Sequence, residues 1–281
     1  MEAASFQELR YEVESGVAVV TLDRSERGNA WSGPMSVEYR WALHHAHYDA
    51  DVRVMVVTGA GDTFCVGADT RALVEIGEAG GGYTKERTPL PPFPEGTPAA
   101  LRHNHTAPLT VSVPVLAAIN GPCAGAGFVL ATYADQRWAA AGTKIATSFA
   151  GLGLPAEYGT GWMLPRIVGT SRALELLYDP SPRTAEDAQR LGFVDRILPS
   201  DELLSGVVDY AQRLARHSAP ESLAFMKRAV LVDSIGDLDA AYRRSVVDMD
   251  DALRSASFAT GVAAARSRAR PDFLASTGQP P

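Results

Sequence analysis

Only two cysteines, Cys65 and Cys123, occur in 281 residues, too few for a fold stapled by a disulfide framework. They sit in separate segments with the look of tight loops, and reduced thiols in a cytoplasmic setting are the expectation. No stretch approaches the roughly 18 uninterrupted apolar residues that a membrane-spanning helix needs. The first segment, Met1 to Arg10, lacks the basic start and apolar stretch of a secretory signal, so no export is expected. Basic residues are also scarce: 26 Lys and Arg stand against 33 Asp and Glu, for a formal charge of −7. Binding a nucleic-acid backbone relies on clustered cations, so that class is set aside. An anionic ligand would have to find local arginines, and Arg24, Arg27, Arg71 and the run Arg266, Arg268, Arg270 are the candidates.

What is present is ordinary globular material, 46% hydrophobic and 21% charged, in a chain long enough for one α/β core with a dependent appendage. Leu9 to Glu14 and Val17 to Asp23 alternate apolar and polar residues around Ser15-Gly16, which predicts a β-hairpin. Met35 to Tyr48 has helical periodicity. Arg53 to Thr58 and Val113 to Ile119 are short apolar runs, stopped by Gly59-Ala60-Gly61 and Asn120-Gly121-Pro122, and read as buried strands. Gln136 to Ala140 and Phe193 to Leu198 are two further candidates. Strand, turn and helix recur, so the class is α/β.

Between the first two strand units, Gly77 to Pro98 carries Gly80-Gly81-Gly82 and then Pro89, Pro91, Pro92, Pro94 and Pro98. Such a loop either borders a substrate site or is an inert excursion. From Ser200 onward the pattern is nearly all helical, over Asp201 to His217, Glu221 to Val232, Asp237 to Ser255 and Phe258 to Ala269. The tail has too little core of its own to stand free, so it should lie on the body or on a neighbouring subunit. Residues 1–199 are therefore expected to form the main unit and residues 200–281 a helical region that depends on it.

The most informative stretches are Phe64-Cys65-Val66-Gly67-Ala68-Asp69 and Asn120-Gly121-Pro122-Cys123-Ala124-Gly125-Ala126-Gly127. Each follows a strand and precedes a helical pattern. An amide at a helix start has no intrahelical partner and favours negative charge. Two such amides aimed at one point make an oxyanion hole. Small residues that merely let strand and helix approach closely are the plainer reading of either turn alone.

The two turns in this order resemble the enoyl-CoA hydratase/isomerase, or crotonase, superfamily. The resemblance runs over nearly the whole chain. It includes Arg24-Ser25-Glu26-Arg27-Gly28-Asn29-Ala30, the run Pro114-Val115-Leu116-Ala117-Ala118-Ile119-Asn120-Gly121, and Glu157 followed by Trp162-Met163-Leu164-Pro165-Arg166-Ile167-Val168-Gly169. Leu191-Gly192-Phe193-Val194 and Arg270-Pro271-Asp272-Phe273 complete it. The resemblance implies a spiral of repeated ββα units followed by a C-terminal helical trimerisation region, assembled as a homotrimer or a dimer of trimers. It implies an acyl-CoA thioester as substrate, with coenzyme A part of that substrate and no separate cofactor. The oxyanion donors would be the amides of Ala68 and Ala126, although the family usually has glycine where Ala126 stands. Coenzyme A would lie near Arg27, Asn29, Ala30, Gly67, Arg71 and Gly125, with Arg270 reaching a phosphate of its own or a neighbouring subunit.

One feature of the family is missing. The two glutamates that hold water in family hydratases would fall at Val129 and Phe149, and neither residue can carry a proton. Glu157 is the carboxylate that remains, at the start of a helix running towards Arg166, where double-bond isomerases of the family carry an acidic residue. In an apolar pocket its pKa would rise towards a useful range; the alternative is a carboxylate that only stabilises the helix dipole. His44, His45 and His47 read as a solvated helix face, and no metal is assigned to them. His103 and His105 follow the proline-rich loop and could reach the acyl pocket, although exposed positions on a polar helix are the plainer reading, and Asp69 reads as local support of its turn. The expected activity is therefore enolate stabilisation on an unsaturated acyl-CoA, with isomerase-type proton transfer favoured over hydration. The alternative is a homologue that binds acyl-CoA without turning it over.

Overall fold

The computed structural model describes residues 2, 5–68, 78 and 89–274. Strands β1 (Leu9–Glu14) and β2 (Val17–Leu22) form the expected antiparallel hairpin. Ser15 and Gly16 both have positive φ, the two-residue turn whose twist matches that of the strands it joins. Four more strands extend the sheet, β3 (Val54–Gly59), β4 (Val115–Ile119), β6 (Gln136–Ala140) and β9 (Arg196–Leu198), in the order β1-β2-β3-β4-β6-β9. Every pairing after the hairpin is parallel. A second small sheet joins β5 (Cys123–Ala124), β7 (Lys144–Ala146) and β8 (Arg183–Thr184).

Strands β3 and β4 are buried along their whole length, as parallel strands covered on both faces must be. Alternate residues go to opposite sides. Met55, Val57, Val115, Ala117 and Ile119 face a large core with Met35, Tyr39, Ala42, Leu43 and Ala46 of helix α1 (Gly33–Tyr48). Val54, Val56, Leu116 and Ala118 face Leu203, Val207, Ala211 and Ala215. Those four recur every fourth residue, one stripe of a helix. Helix α1 starts where Ser32 Oγ accepts the Met35 amide at 3.0 Å, with Pro34 in its first turn.

After β5 come α2 (Ala126–Thr132), α3 (Thr160–Val168), α4 (Thr170–Tyr178), α5 (Ala185–Arg190), α6 (Leu203–His217), α7 (Pro220–Leu231), α8 (Leu238–Leu253) and α9 (Ala256–Arg266). Two boundaries differ from the sequence reading. Phe193 and Val194 belong to the core rather than to a strand, Phe193 stacking on Phe128 at 4.3 Å. Glu157 does not begin a helix: Tyr158 and Gly159 have φ of 50° and 78°, left-handed values that no right-handed helix can contain.

The helices of the tail differ sharply from one another. Because α6 shares a core with the strands, the residues after 200 have no separate interior. Helix α7 is pinned by Lys227, which is buried, donates to the Val113 carbonyl at 2.8 Å and pairs with Asp135 at 2.9 Å. Burial lowers the Lys227 pKa, and Asp135 partly restores it. Helices α8 and α9 bury no residue in the single chain. They expose Leu238 (84%), Tyr242, Val246, Val247, Met249, Leu253, Phe258 and Val262, an apolar surface larger than isolated exposed residues produce. No helix among the described residues is long and apolar enough to cross a membrane.

Candidate active site

The site lies where β3 and β4 end. Asn120, just past β4, joins the two strand ends: its Oδ1 accepts the Gly59 amide at 3.0 Å, and its Nδ2 donates to the carbonyls of Gly59 and Gly61 at 2.9 and 2.8 Å. Beyond it the two glycine turns are zipped together. The Cys65 amide donates to the Pro122 carbonyl at 3.1 Å and the Ala124 amide to the Cys65 carbonyl at 2.9 Å, a short parallel bridge. Glycine is required by space as much as by φ. A Cβ on Gly127 would stand 2.2 Å from the Cys65 carbonyl oxygen. Gly67, at φ 111°, approaches Gly125 closely enough that a Cβ on Gly125 would meet the Gly67 Cα at 3.3 Å. Cys65 and Cys123, remote in sequence, thus become neighbours. Both are free and buried, and burial pushes the Cys65 thiol up to about 11 and raises that of Cys123 well above its ordinary value. Neither is suited to act as a thiolate.

Ala68 and Ala126 follow directly on Gly67 and Gly125. Ala126 is the first residue of α2, so its amide has no intrahelical partner. Among the described residues neither amide donates a backbone hydrogen bond. The turn that carries Ala68 is also held from the far side, where the Trp31 amide donates to the Gly67 carbonyl at 2.7 Å.

The arginine-rich segment after the hairpin lies against this turn, the Val66 amide bonding the Gly28 carbonyl at 3.1 Å. Arg27 is exposed there. Asn29, read from the sequence as a coenzyme A contact, is fully buried. Its Nδ2 donates to the carbonyls of Ala60 and Thr63 and its Oδ1 accepts the Arg24 amide, so its side chain holds the turn and offers no atom to a ligand. Ala30 is buried, with its carbonyl taken by Arg24. Arg71 and Asp69 lie outside the described residues, as do residues 77 and 79–88 of the glycine- and proline-rich loop. Of that loop's described end, Pro91 accepts from Arg40, whose guanidinium lies 3.9 Å over Phe93.

Arg270 is not gathered with the others. The chain just after it is tied to α6, the Phe273 amide donating to the Arg216 carbonyl at 2.8 Å. Leu274 covers Gly16, at the start of β2, whereas the turns lie beyond the opposite end of that six-residue strand. A strand of that length spans on the order of 20 Å, so the exposed Arg270 is held at the far end of the sheet from the site of its own chain.

At Tyr133, the C-terminal end of the helix that Ala126 begins, is a cavity of about 460 Å³ lined by Leu101, Leu109, Tyr133, Tyr158, Trp162, Ile235 and their neighbours. Val129 (0%) and Phe149 (3%) lie behind it in one apolar cluster with Leu101, Leu109, Tyr133 and Met163. Two residues twenty positions apart in sequence therefore do converge, as hydrophobic packing rather than as a pair of proton carriers. Glu157 is half-buried in the turn before α3, and its carbonyl accepts the Thr160 amide at 2.8 Å. The next two residues, Tyr158 and Gly159, line the cavity. Tyr133 fixes that turn by donating its hydroxyl to the Tyr158 carbonyl at 2.5 Å. Sequence reasoning passed over Tyr133, though it stands one helical turn after Val129 and so on the same face.

The histidines are placed differently from the sequence reading. His103 is exposed at the cavity rim, but His105 is half-buried in the wall, its ring stacked on Tyr158 at 3.7 Å. The two lie at a short 3-10 helix, Asn104–Leu109, whose tight turn rolls His105 inward. His44, His45 and His47 are half-buried rather than solvated; His47 Nδ1 accepts the Ser112 amide at 3.1 Å. No group of three or more metal-ligating side chains occurs among the described residues.

The sequence pattern described as Enoyl-CoA hydratase/isomerase matches residues 12–273. The chain belongs to that family. Its relatives include the 1,2-epoxyphenylacetyl-CoA isomerase of Escherichia coli, 32% identical with 93% of this chain and 96% of that protein covered. A probable enoyl-CoA hydratase of Mycobacterium tuberculosis is also 32% identical, with 93% and 90% covered. Among solved structures, a probable enoyl-CoA hydratase/isomerase from Mycobacterium abscessus superposes with a TM-score of 0.81 at 29% identity, covering 94% of this chain and 97% of that one. The protein is thus an enzyme of the enoyl-CoA hydratase/isomerase family with a mixed α/β crotonase fold and a helical C-terminal region.

Proposed function

We propose that the protein binds an unsaturated acyl-CoA, that the amides of Ala68 and Ala126 polarise its thioester carbonyl, and that Glu157 carries a proton in moving the double bond. The observation that supports this reading is the pair of zipped turns, from which the amides of Ala68 and Ala126 follow without a backbone hydrogen bond of their own among the described residues. Donors fixed in advance stabilise the enolate oxygen without reorganising, the largest single contribution in many enzymes. Hydration is disfavoured because Val129 and Phe149 leave no carboxylate to hold a water, and their surroundings are apolar. Glu157 is the carboxylate on the turn that enters the cavity wall, in a position that the resemblance associates with proton transfer in isomerases.

Coenzyme A would pass along Arg27 and the backbone around Gly67 and Gly125, with Arg71 as a further cation. Arg270, remote from the site of its own chain, would serve that of a neighbouring copy. A homotrimer or dimer of trimers would cover the apolar face of α8 and α9; light scattering on the purified protein would return three or six chain masses, and a monomer would overturn it.

The decisive test is deuterium uptake from heavy water into a set of unsaturated acyl-CoAs. Removing a general acid–base group lowers such rates about 10²–10⁴-fold, so Glu157→Ala should all but abolish exchange. Water addition that survives Glu157→Ala would sink the isomerase reading.

A further inference from the structure

Aromatic surface is the main thing the cavity wall offers a ligand. Two of its hydroxyls are taken up by the backbone: that of Thr106 donates to the Leu101 carbonyl at 2.6 Å and that of Tyr133 to the Tyr158 carbonyl. Tyr158 and Trp162 flank Gly159 in sequence, and all three line the cavity. Each of the two rings is braced by a second planar group. The His105 ring stacks on Tyr158 at 3.7 Å and 22°; its Nε2 is enclosed, so its part is to hold the tyrosine. The Arg166 guanidinium lies 3.4 Å over Trp162 and is kept there by Nη1, which donates to the Trp162 carbonyl at 2.7 Å. Arg166 does not line the cavity, so the indole face it covers is the outer one. Trp162 nevertheless keeps 41% of its surface exposed, and Tyr158 is half-buried.

The cavity also stands at a defined remove from the two turns. Tyr133 ends the helix that Ala126 begins, and seven residues at 1.5 Å each place it roughly 10 Å along that helix. On another side the His105 ring lies 6.2 Å from that of Trp31, which is bridged through its backbone to Ala68. Such a separation suits the remote end of an acyl group rather than its thioester.

We propose that this cavity receives the far end of the acyl group and selects a planar aromatic ring there, with Trp162 and Tyr158 as the residues that determine the choice. Rings attract one another in offset or edge-on contact beyond the area they bury, and a wall already braced loses little freedom when the ligand arrives. A saturated ring of the same carbon number buries as much apolar surface but cannot make those contacts, so burial alone gives it no disadvantage.

The inference rests on the acyl-CoA reading above, and the test separates the two. Dissociation constants are measured by calorimetry on the full-length protein for phenylacetyl-, 4-phenylbutanoyl- and 6-phenylhexanoyl-CoA and for their cyclohexyl counterparts. These thioesters have no double bond in the chain to move, so binding is read without turnover. In wild type at least one phenyl ligand should bind tenfold or more tightly than its cyclohexyl partner, about 1.4 kcal/mol. Trp162→Leu should remove most of that preference by weakening the phenyl ligand, and Trp162→Phe, which keeps a ring, should retain part of it. The exposure of Trp162 makes both variants compatible with folding, which thermal unfolding checks. Thioester binding with no phenyl preference at any chain length, or an equal loss for both ligands in Trp162→Leu, overturns the aromatic subsite alone. Failure of every thioester to bind overturns the acyl-CoA reading itself, and this inference with it.

Discussion

The two glycine turns and the cavity wall are built on opposite principles. The turns are made of backbone from which side chains are excluded, with a Cβ on Gly127 meeting the Cys65 carbonyl oxygen at 2.2 Å. The wall is made of bulky side chains, Tyr133, Tyr158, Trp162 and His105, any of which can change shape without moving the chain beneath. On the proposed function the difference would separate two tasks. Charge stabilisation needs donors that do not move and would belong to the packed backbone, whereas choice of acyl group would need only a wall that can be re-shaped.

Three measurements would break or sharpen this contrast. The largest effect should come from Gly127→Ala, which forces the two turns apart and should cost about 3 kcal/mol or more in urea unfolding, with loss of exchange activity. If the variant were as stable and active as wild type, the turns would not be the rigid partner.

The second effect comes from the wall. His105 in the folded protein takes up a proton only near pH 4, against an ordinary value of 6.5. Between those values the unfolded chain binds the proton and the folded one does not, so stability falls as pH drops. The contribution is fully present above pH 6.5 and is lost towards pH 4, about 3 kcal/mol in all. His105→Phe should flatten that part of the profile of unfolding free energy against pH; an unchanged profile would mean that the imidazole is not enclosed.

The smallest effect is expected for Tyr133→Phe. It removes one hydrogen bond to the Tyr158 carbonyl, about 1 kcal/mol of stability. The turn that bears Glu157 loosens with it, so the rate constant for deuterium exchange should fall further than that loss of stability alone would bring, with KM little changed. A fall in KM and rate together would place Tyr133 in substrate contact instead.

Much of this was legible in the residues. Apolar runs stopped by glycine gave β3 and β4, and their total burial follows from having no polar face to turn outwards. The ordered motifs gave the family, and the apolar character of Val129 and Phe149 was plain from their identity. His105 was not legible, because a histidine beside polar residues reads as exposed until the 3-10 turn rolls it inward. Asn29 was legible as important but not as buried, since its two bonds to the carbonyls of Ala60 and Thr63 exist only when that segment meets its own. The left-handed residues at Tyr158 and Gly159, which end the helical pattern short of Glu157, were hidden for the same reason.

The sequence by itself therefore determined the main strands, the glycine turns and the family, because those depend on local patterning and on residue identity. Only the tertiary structure decided that Cys65 and Cys123 stand side by side, that Arg270 is remote from the glycine turns of its own chain, and that the His105 ring is stacked on Tyr158 with its Nε2 enclosed. Each of these depends on distances between segments that sequence separation does not encode, set by how the sheet and its covering helices close on one another.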